Sequence, residues 1–132
     1  MSNYSIGDLV SKINVASRAR VKSISIKNTF VSIKILRVFE KCGLILNFKI
    51  LDDATIMVFL KYFQNRPVFY RMEIVSRPGK RVYWKLPYIS KKFSQNCFSG
   101  FFILTTSKGF ITSNDSILGG CIGGEVLIKI FV

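Results

Sequence analysis

Two short stretches hold most of the groups that could do chemistry in this 132-residue chain. In "SRPGKRVYW" the cations Arg77, Lys80 and Arg81 stand beside Ser76, Tyr83 and Trp84. In "LTTSKGF", Thr105, Thr106, Ser107, Lys108 and Gly109 set three hydroxyls, a lysine and a glycine at the end of an apolar run. Cations neutralise phosphates without reading sequence, whereas hydroxyls, backbone N–H groups and aromatic faces reach sugars and unstacked bases. Ser, Lys and Gly are also ordinary turn residues, so taken alone the second stretch reads as a plain turn. A third stretch, "GGCIGGE" over residues 119–125, is rich enough in glycine for a phosphate loop but lacks both the Walker lysine pattern and the G-x-G-x-x-G spacing.

Catalysis is hard to assemble from these residues. The chain has no histidine, the commonest general base, and no G-x-S-x-G nucleophile motif. Asp52 and Asp53 are adjacent acids between two apolar runs, a pattern that reads as a solvated turn rather than a catalytic pair. Cys42, Cys97 and Cys121 are odd in number, widely spaced and without a C-x-x-C pair, so they are expected to be small buried hydrophobes in a reducing compartment. No enzyme activity, metal, cofactor or small-molecule substrate is expected.

Charge points to a binding role. Twenty Lys+Arg against seven Asp+Glu leave a formal +13, a field that calls for an anionic partner. The excess is not a tail: residues 1–50 carry nine basic residues and two acids, and residues 51–132 carry eleven and five. Basic loops without a strongly basic recognition helix suit irregular RNA better than regular DNA. The apolar runs fall well short of the roughly 18 residues that a spanning helix needs. The N-terminus has no long apolar segment, and its first helix begins almost at once, so it reads as mature structure without a cleavable leader. Seventeen Ile, thirteen Lys, twelve Phe and five Tyr suggest an AT-rich coding sequence of the kind small organellar genomes have.

The elements that must carry these groups follow from periodicity. Ile6, Leu9, Val10, Ile13 and Ala16 recur at helical spacing over residues 6–19. Alternation over 21–27 predicts a strand, and Asn28 or Thr29 would cap a helix over 30–42 that Gly43 ends. Strands are expected over 44–51 and 55–63, a link over 64–67, and further strands over 69–75, 101–105 and 125–132. Pro78 and Gly79 make a tight turn, residues 86–100 read as irregular or briefly helical, and 112–118 as a short turn or helix. The fold class is α+β in two small lobes: a helix-strand-helix-strand-strand lobe over 1–66 and a mainly antiparallel β lobe over 67–132.

The order of motifs resembles the bacterial-type family of ribosomal protein eight of the small subunit. "SRPGKRVY", "TTSKG" and "IGGEVL" occur in family order and at nearly family spacing, with weaker agreement at Asp8, Ile13, Ala16 and "CGLI". The resemblance covers essentially the whole chain. It implies a structural constituent of the small ribosomal subunit that binds the central domain of small-subunit rRNA directly, touches neighbouring small-subunit proteins, and supports assembly and translation. Ser76, Arg77, Lys80, Arg81, Tyr83, Thr105, Thr106, Ser107, Lys108 and Gly109 are then the expected RNA contacts. Gly123, Gly124 and Glu125 would support the loop, with Glu125 accepting hydrogen bonds from its hydroxyls or N–H groups.

Departures from the family pattern fall mainly in the first lobe. Asn14, Val15 and Ala16 replace its Arg-Asn-Ala, and Lys27 and Thr29-Phe30 replace its proline and Ser-Lys. The stretch between Gly109 and Gly123 is one residue longer and lacks an arginine. Together with composition, these departures favour a mitochondrial ribosome and an organelle-encoded chain, with plastid or bacterial cytoplasm as the alternatives. The alternative function is an RNA-binding module acting away from the ribosome, in RNA processing or regulation.

Overall fold

The first helix, α1 (Ser5–Ala19), turns its apolar stripe inward: Ile6, Leu9, Val10, Ile13 and Ala16 are all buried. The computed structural model that contains it describes residues 5–85, 88, 100–107, 109–113 and 123–132. The expected irregular stretch after Lys85, most of that after Thr112, and Lys108, Cys97 and Cys121 lie outside the described residues. By compactness the chain divides into Met1–Phe69 and Tyr70–Val132.

In the first unit β1 (Ser23–Lys27) leads to α2 (Phe30–Cys42). Of the two candidate caps, Thr29 holds the position: its hydroxyl accepts the Ser32 N–H at 3.1 Å. Such a cap satisfies one of the orphan donors at a helix start. At the other end Gly43 is left-handed, and Leu44 N–H reaches back to Phe39 O at 2.8 Å. Ile35, Leu36 and Phe39 face the core, whereas Cys42 stands exposed in the last turn, against the expectation of a buried cysteine. It lies three residues past Phe39, where the helix ends and its neighbours Lys41 and Glu40 are exposed too.

β2 (Ile45–Ile50) and β3 (Thr55–Leu60) form an antiparallel hairpin, and β1 pairs with the other edge of β3, giving the order β1-β3-β2. Ile56, Val58 and Leu60 of the central strand are buried. The expected strand through Phe63 breaks after Leu60. Tyr62 instead sends its hydroxyl to the carbonyl oxygens of Val21 and Ala16. Residues 62–67 close as a small hairpin, β4 (Tyr62–Phe63) with β5 (Arg66–Pro67), around Gln64 and Asn65 at φ of 51° and 62°.

The second unit is antiparallel β throughout its described strands: β6 (Arg71–Ile74), β7 (Tyr83–Lys85), β8 (Gly100–Thr106), β9 (Gly109–Thr112) and β10 (Gly123–Phe131). β10 is the organising strand. One of its edges is taken along its length by β8, which in turn pairs with β9; the other is shared by β6 toward its end and β7 at its start. Ile103, Leu104, Val126, Ile128 and Ile130 have no exposed surface. A register shift between Val126 and Ile128 interrupts the pairing with β8. β7 and β9 are strands that the sequence did not disclose. Each has only three or four residues and follows a turn signal, so alternation had too little length to register.

Candidate nucleic-acid interface

The two chemistry-bearing stretches, 20 and more residues apart in sequence, meet across one strand. At the start of β10, Gly124 pairs with Trp84 of β7 on one side and Thr106 of β8 on the other; Glu125 pairs likewise with Tyr83 and Thr105. Directly opposed residues in an antiparallel ladder share a face, and adjacent strands lie about 4.8 Å apart. Tyr83, Glu125, Thr105 and Phe110 therefore form one cross-strand row, with Lys85 and Gly123 in the next row on the same face. The opposite face turns inward: Trp84 packs edge-on against Phe102 at 4.8 Å, beside Leu104 and Val126.

Gly124 is what lets these strands come together. A Cβ built there would overlap the Thr105 carbonyl oxygen and stand 3.0 Å from its carbon and 3.1 Å from Thr106 Cα. Any side chain would push β8 away from β10 just before the turn. Gly123, beside it, leaves no side chain between Lys85 and the turn region.

The turn from β8 into β9 is closed by the Thr106–Gly109 pair. Thr106 Oγ1 donates to Gly109 O at 3.2 Å. Gly109 has φ of +100°, the left-handed region that a hairpin turn of this size assigns to glycine. Ser107 is exposed, and its hydroxyl has no hydrogen-bond partner among the described residues. Thr105 is half-buried, and Lys108 lies outside the described residues.

The basic hairpin is held off the edge of β10. Arg77 and Lys80 exchange backbone hydrogen bonds of 3.0 and 2.9 Å around Pro78 and Gly79, and Arg77, Lys80, Arg81, Tyr83 and Lys85 are exposed. Ser76 departs from expectation. It is completely buried, its hydroxyl donating to Val126 O at 2.6 Å and accepting Val82 N–H at 3.0 Å. A side chain so enclosed cannot touch a ligand; it bolts both ends of the basic hairpin to β10.

Glu125 also differs from its expected part. Among the described residues its carboxylate is met by Arg81, Nη1 to Oε2 at 3.2 Å, and not by the hydroxyls of the turn. Arg81 arrives from the opposite side of β10, two residues before Tyr83 and hence on the same face. The half-exposed guanidinium keeps surface for a ligand while its position is set by a largely buried acid. Lys85 and Phe110 were missed by sequence reading; the signal for Lys85 was its i+2 spacing from Tyr83, usable only once β7 is known to be a strand. The arrangement can neutralise phosphates with four described cations while offering a serine hydroxyl and an aromatic face close by. Among the described residues no group of acids and cysteines is arranged to hold a metal ion, and no helix is long and apolar enough to cross a membrane.

The profile of the family described as ribosomal protein S8 matches residues 4–131. The chain is similar to the small ribosomal subunit protein uS8m of Acanthamoeba castellanii, with 37% identity over 125 residues covering 95% of this chain and 97% of that protein. It is also similar to small ribosomal subunit proteins uS8 of two bacteria. Identity is 30% with that of Neorickettsia sennetsu, over 99% of this chain and 100% of the relative, and 32% with that of Geobacter sulfurreducens, over 96% of each.

Proposed function

The chain belongs to the ribosomal protein S8 family, and from that premise we propose that its C-terminal unit binds the central domain of small-subunit rRNA directly and supports assembly of the subunit in a mitochondrial ribosome. Membership makes it a structural protein of the small ribosomal subunit. The observation that carries the finer reading is the start of β10, where Gly124 brings the Thr106 turn and the basic hairpin onto neighbouring edges of one strand. RNA with a distorted backbone could meet cations from one side and hydroxyls from the other. No chemical step is involved: the protein's role is to hold RNA in one shape and present surfaces to neighbouring ribosomal proteins. The mitochondrial setting is supported by the 37% identity to a relative named uS8m, against 30% and 32% for the two bacterial relatives, and by the organellar composition.

The test pairs two kinds of variant in one titration against cognate central-domain RNA and an unrelated duplex. Thr106→Ala with Ser107→Ala should lower affinity for the cognate RNA about tenfold and leave the unrelated duplex nearly unchanged. Lys80→Ala should weaken both and reduce the salt slope by about 1. Equal losses on both RNAs in the hydroxyl variant would sink the recognition role. Co-sedimentation with small subunits through a salt wash separates a ribosomal constituent from a factor acting elsewhere.

A further inference from the structure

The outer edge of β1 is an open docking edge, and we propose that it receives an extended, acidic and aliphatic segment of another polypeptide as a fourth strand of the N-terminal sheet. Pairing with β3 determines which backbone groups of β1 are already used. Leu60 N–H bonds Lys22 O at 2.9 Å, and Asn28 N–H bonds Ala54 O at 3.0 Å. Those two bonds lie at the ends of a register that matches Ile24 with Val58 and Ile26 with Ile56. In an antiparallel ladder only alternate residues exchange hydrogen bonds. Lys22, Ile24, Ile26 and Asn28 therefore face β3, and Ser23, Ser25 and Lys27 direct their N–H and C=O groups outward. Among the described residues no strand pairs with that side, since β1 ends the order β1-β3-β2.

A second observation lies beside the edge. Along it, between α1 and β1, runs a hollow of about 420 Å³ lined by Val15, Ala16, Ala19, Val21 and Ile24 together with Ser25. Val15 is 66% and Val21 41% exposed, an unusual state for aliphatic side chains set side by side. A smaller hollow of about 160 Å³ continues it, lined by Asp8, Ile26, Lys27 and Ser32; Lys12 borders both. Strand addition uses this combination, with the ladder supplying affinity and flanking pockets selecting alternate side chains. A branched aliphatic residue fits the first hollow. Two residues on, a carboxylate fits the second, where the two cations Lys12 and Lys27 outweigh the one acid, Asp8.

Charge chooses among occupants. A second copy would bring another +13 chain and its own Lys22 and Lys27 to the same edge. RNA would find cations at the rim but no aromatic ring among the lining residues to stack on, and an aliphatic floor with no hydrogen-bonding use. An extended polypeptide with alternating aliphatic and acidic residues satisfies the ladder, the hollow and the rim together.

The experiment follows amide hydrogen exchange of the full chain by NMR. Its probes are an eight-residue peptide of alternating valine and glutamate, a glycine-glutamate counterpart, and a uridine octanucleotide. The valine peptide should slow exchange at Ser23, Ser25 and Lys27 about tenfold, while Ile24 and Ile26, already bonded to β3, do not change. Ser25→Pro, which removes only an outward N–H, should abolish that protection. Val15→Glu, at an exposed position, should do so by repelling the glutamates and serves if the proline variant is poorly folded. The proposal is overturned if the valine peptide gives no protection at millimolar concentration, or if the glycine peptide or the oligonucleotide protects the same three amides equally. It is also overturned if those amides become protected simply on concentrating the chain.

Discussion

Two hairpin tips in this molecule are both polar and are used in opposite ways. At the β2–β3 tip the Asp52 carboxylate accepts the N–H groups of Ala54 and Thr55 at 2.7 and 2.8 Å, and its carbonyl takes the Asn28 amide at 2.9 Å. The Asp52 side chain is spent on closing that tip, and what it leaves outward is the exposed Asp53, an acid that phosphate repels. At the β8–β9 tip Thr106 closes the turn by bonding Gly109 O, and the Ser107 hydroxyl is left outward. Polar residues at a turn mark a binding surface only when some remain unspent after the turn has been closed. The acid at this tip has a local use on a chain of net +13: Asp52 is a turn-former whose carboxylate holds the N–H groups of Ala54 and Thr55.

The hardest blow to the open tip should come from beneath it. Gly124→Val would force β8 off β10, costing about 3 kcal/mol by overpacking and abolishing specific RNA binding along with it; urea unfolding and RNA titration read the two losses. Wild-type stability in this variant would mean that the close approach is not needed. Next is Ser76→Ala, which leaves Val82 N–H and Val126 O without their buried partner and should cost about 2 kcal/mol. Its salt slope for RNA should stay that of the wild type, because no cation is lost; a slope reduced by about 1 would return Ser76 to the contact surface.

Asp52→Ala sharpens the contrast directly. It should lower stability by about 1 kcal/mol through the loss of two hydrogen bonds on an exposed turn, with RNA affinity unchanged within error. A fall in affinity matching that of the Thr106 and Ser107 variant would erase the distinction between the tips. The smallest effect concerns Tyr62, whose phenol burial pushes above its ordinary value. The unfolded phenol ionises near pH 10 while the folded one keeps its proton, so stability is unaffected below about pH 10 and falls as pH rises beyond it. Tyr62→Phe should flatten that alkaline decline in denaturation curves, since it removes the ionising group together with the bonds to Val21 and Ala16.

Both helices were legible because their signals are local. Ile6, Leu9, Val10, Ile13 and Ala16 repeat at the helical period, and Thr29 and Gly43 bracket α2 with a cap and a stop. The long strands of apolar alternation were legible too. β7 and β9 were not, and neither were the internal duty of Ser76 or the Arg81–Glu125 pair, whose members are 44 residues apart. Residue type at Ser76 permits either a contact or a bolt. Only its enclosure between Val82 and Val126 separates the two.

Sequence alone determined the α+β class, the basic charge, the absence of histidine chemistry and the two stretches rich in cations and hydroxyls, because composition and short periodicity report each residue's own preferences. Tertiary structure decided that those stretches stand together, which cation is anchored, which hydroxyl is outward and which strand edge is open. The physical reason is that a strand's alternation says which residues share a face but not which strand lies alongside. Here that choice is made where Gly124 lets β10 and β8 close to backbone contact, bringing Thr105 and Thr106 level with Tyr83 and Trp84.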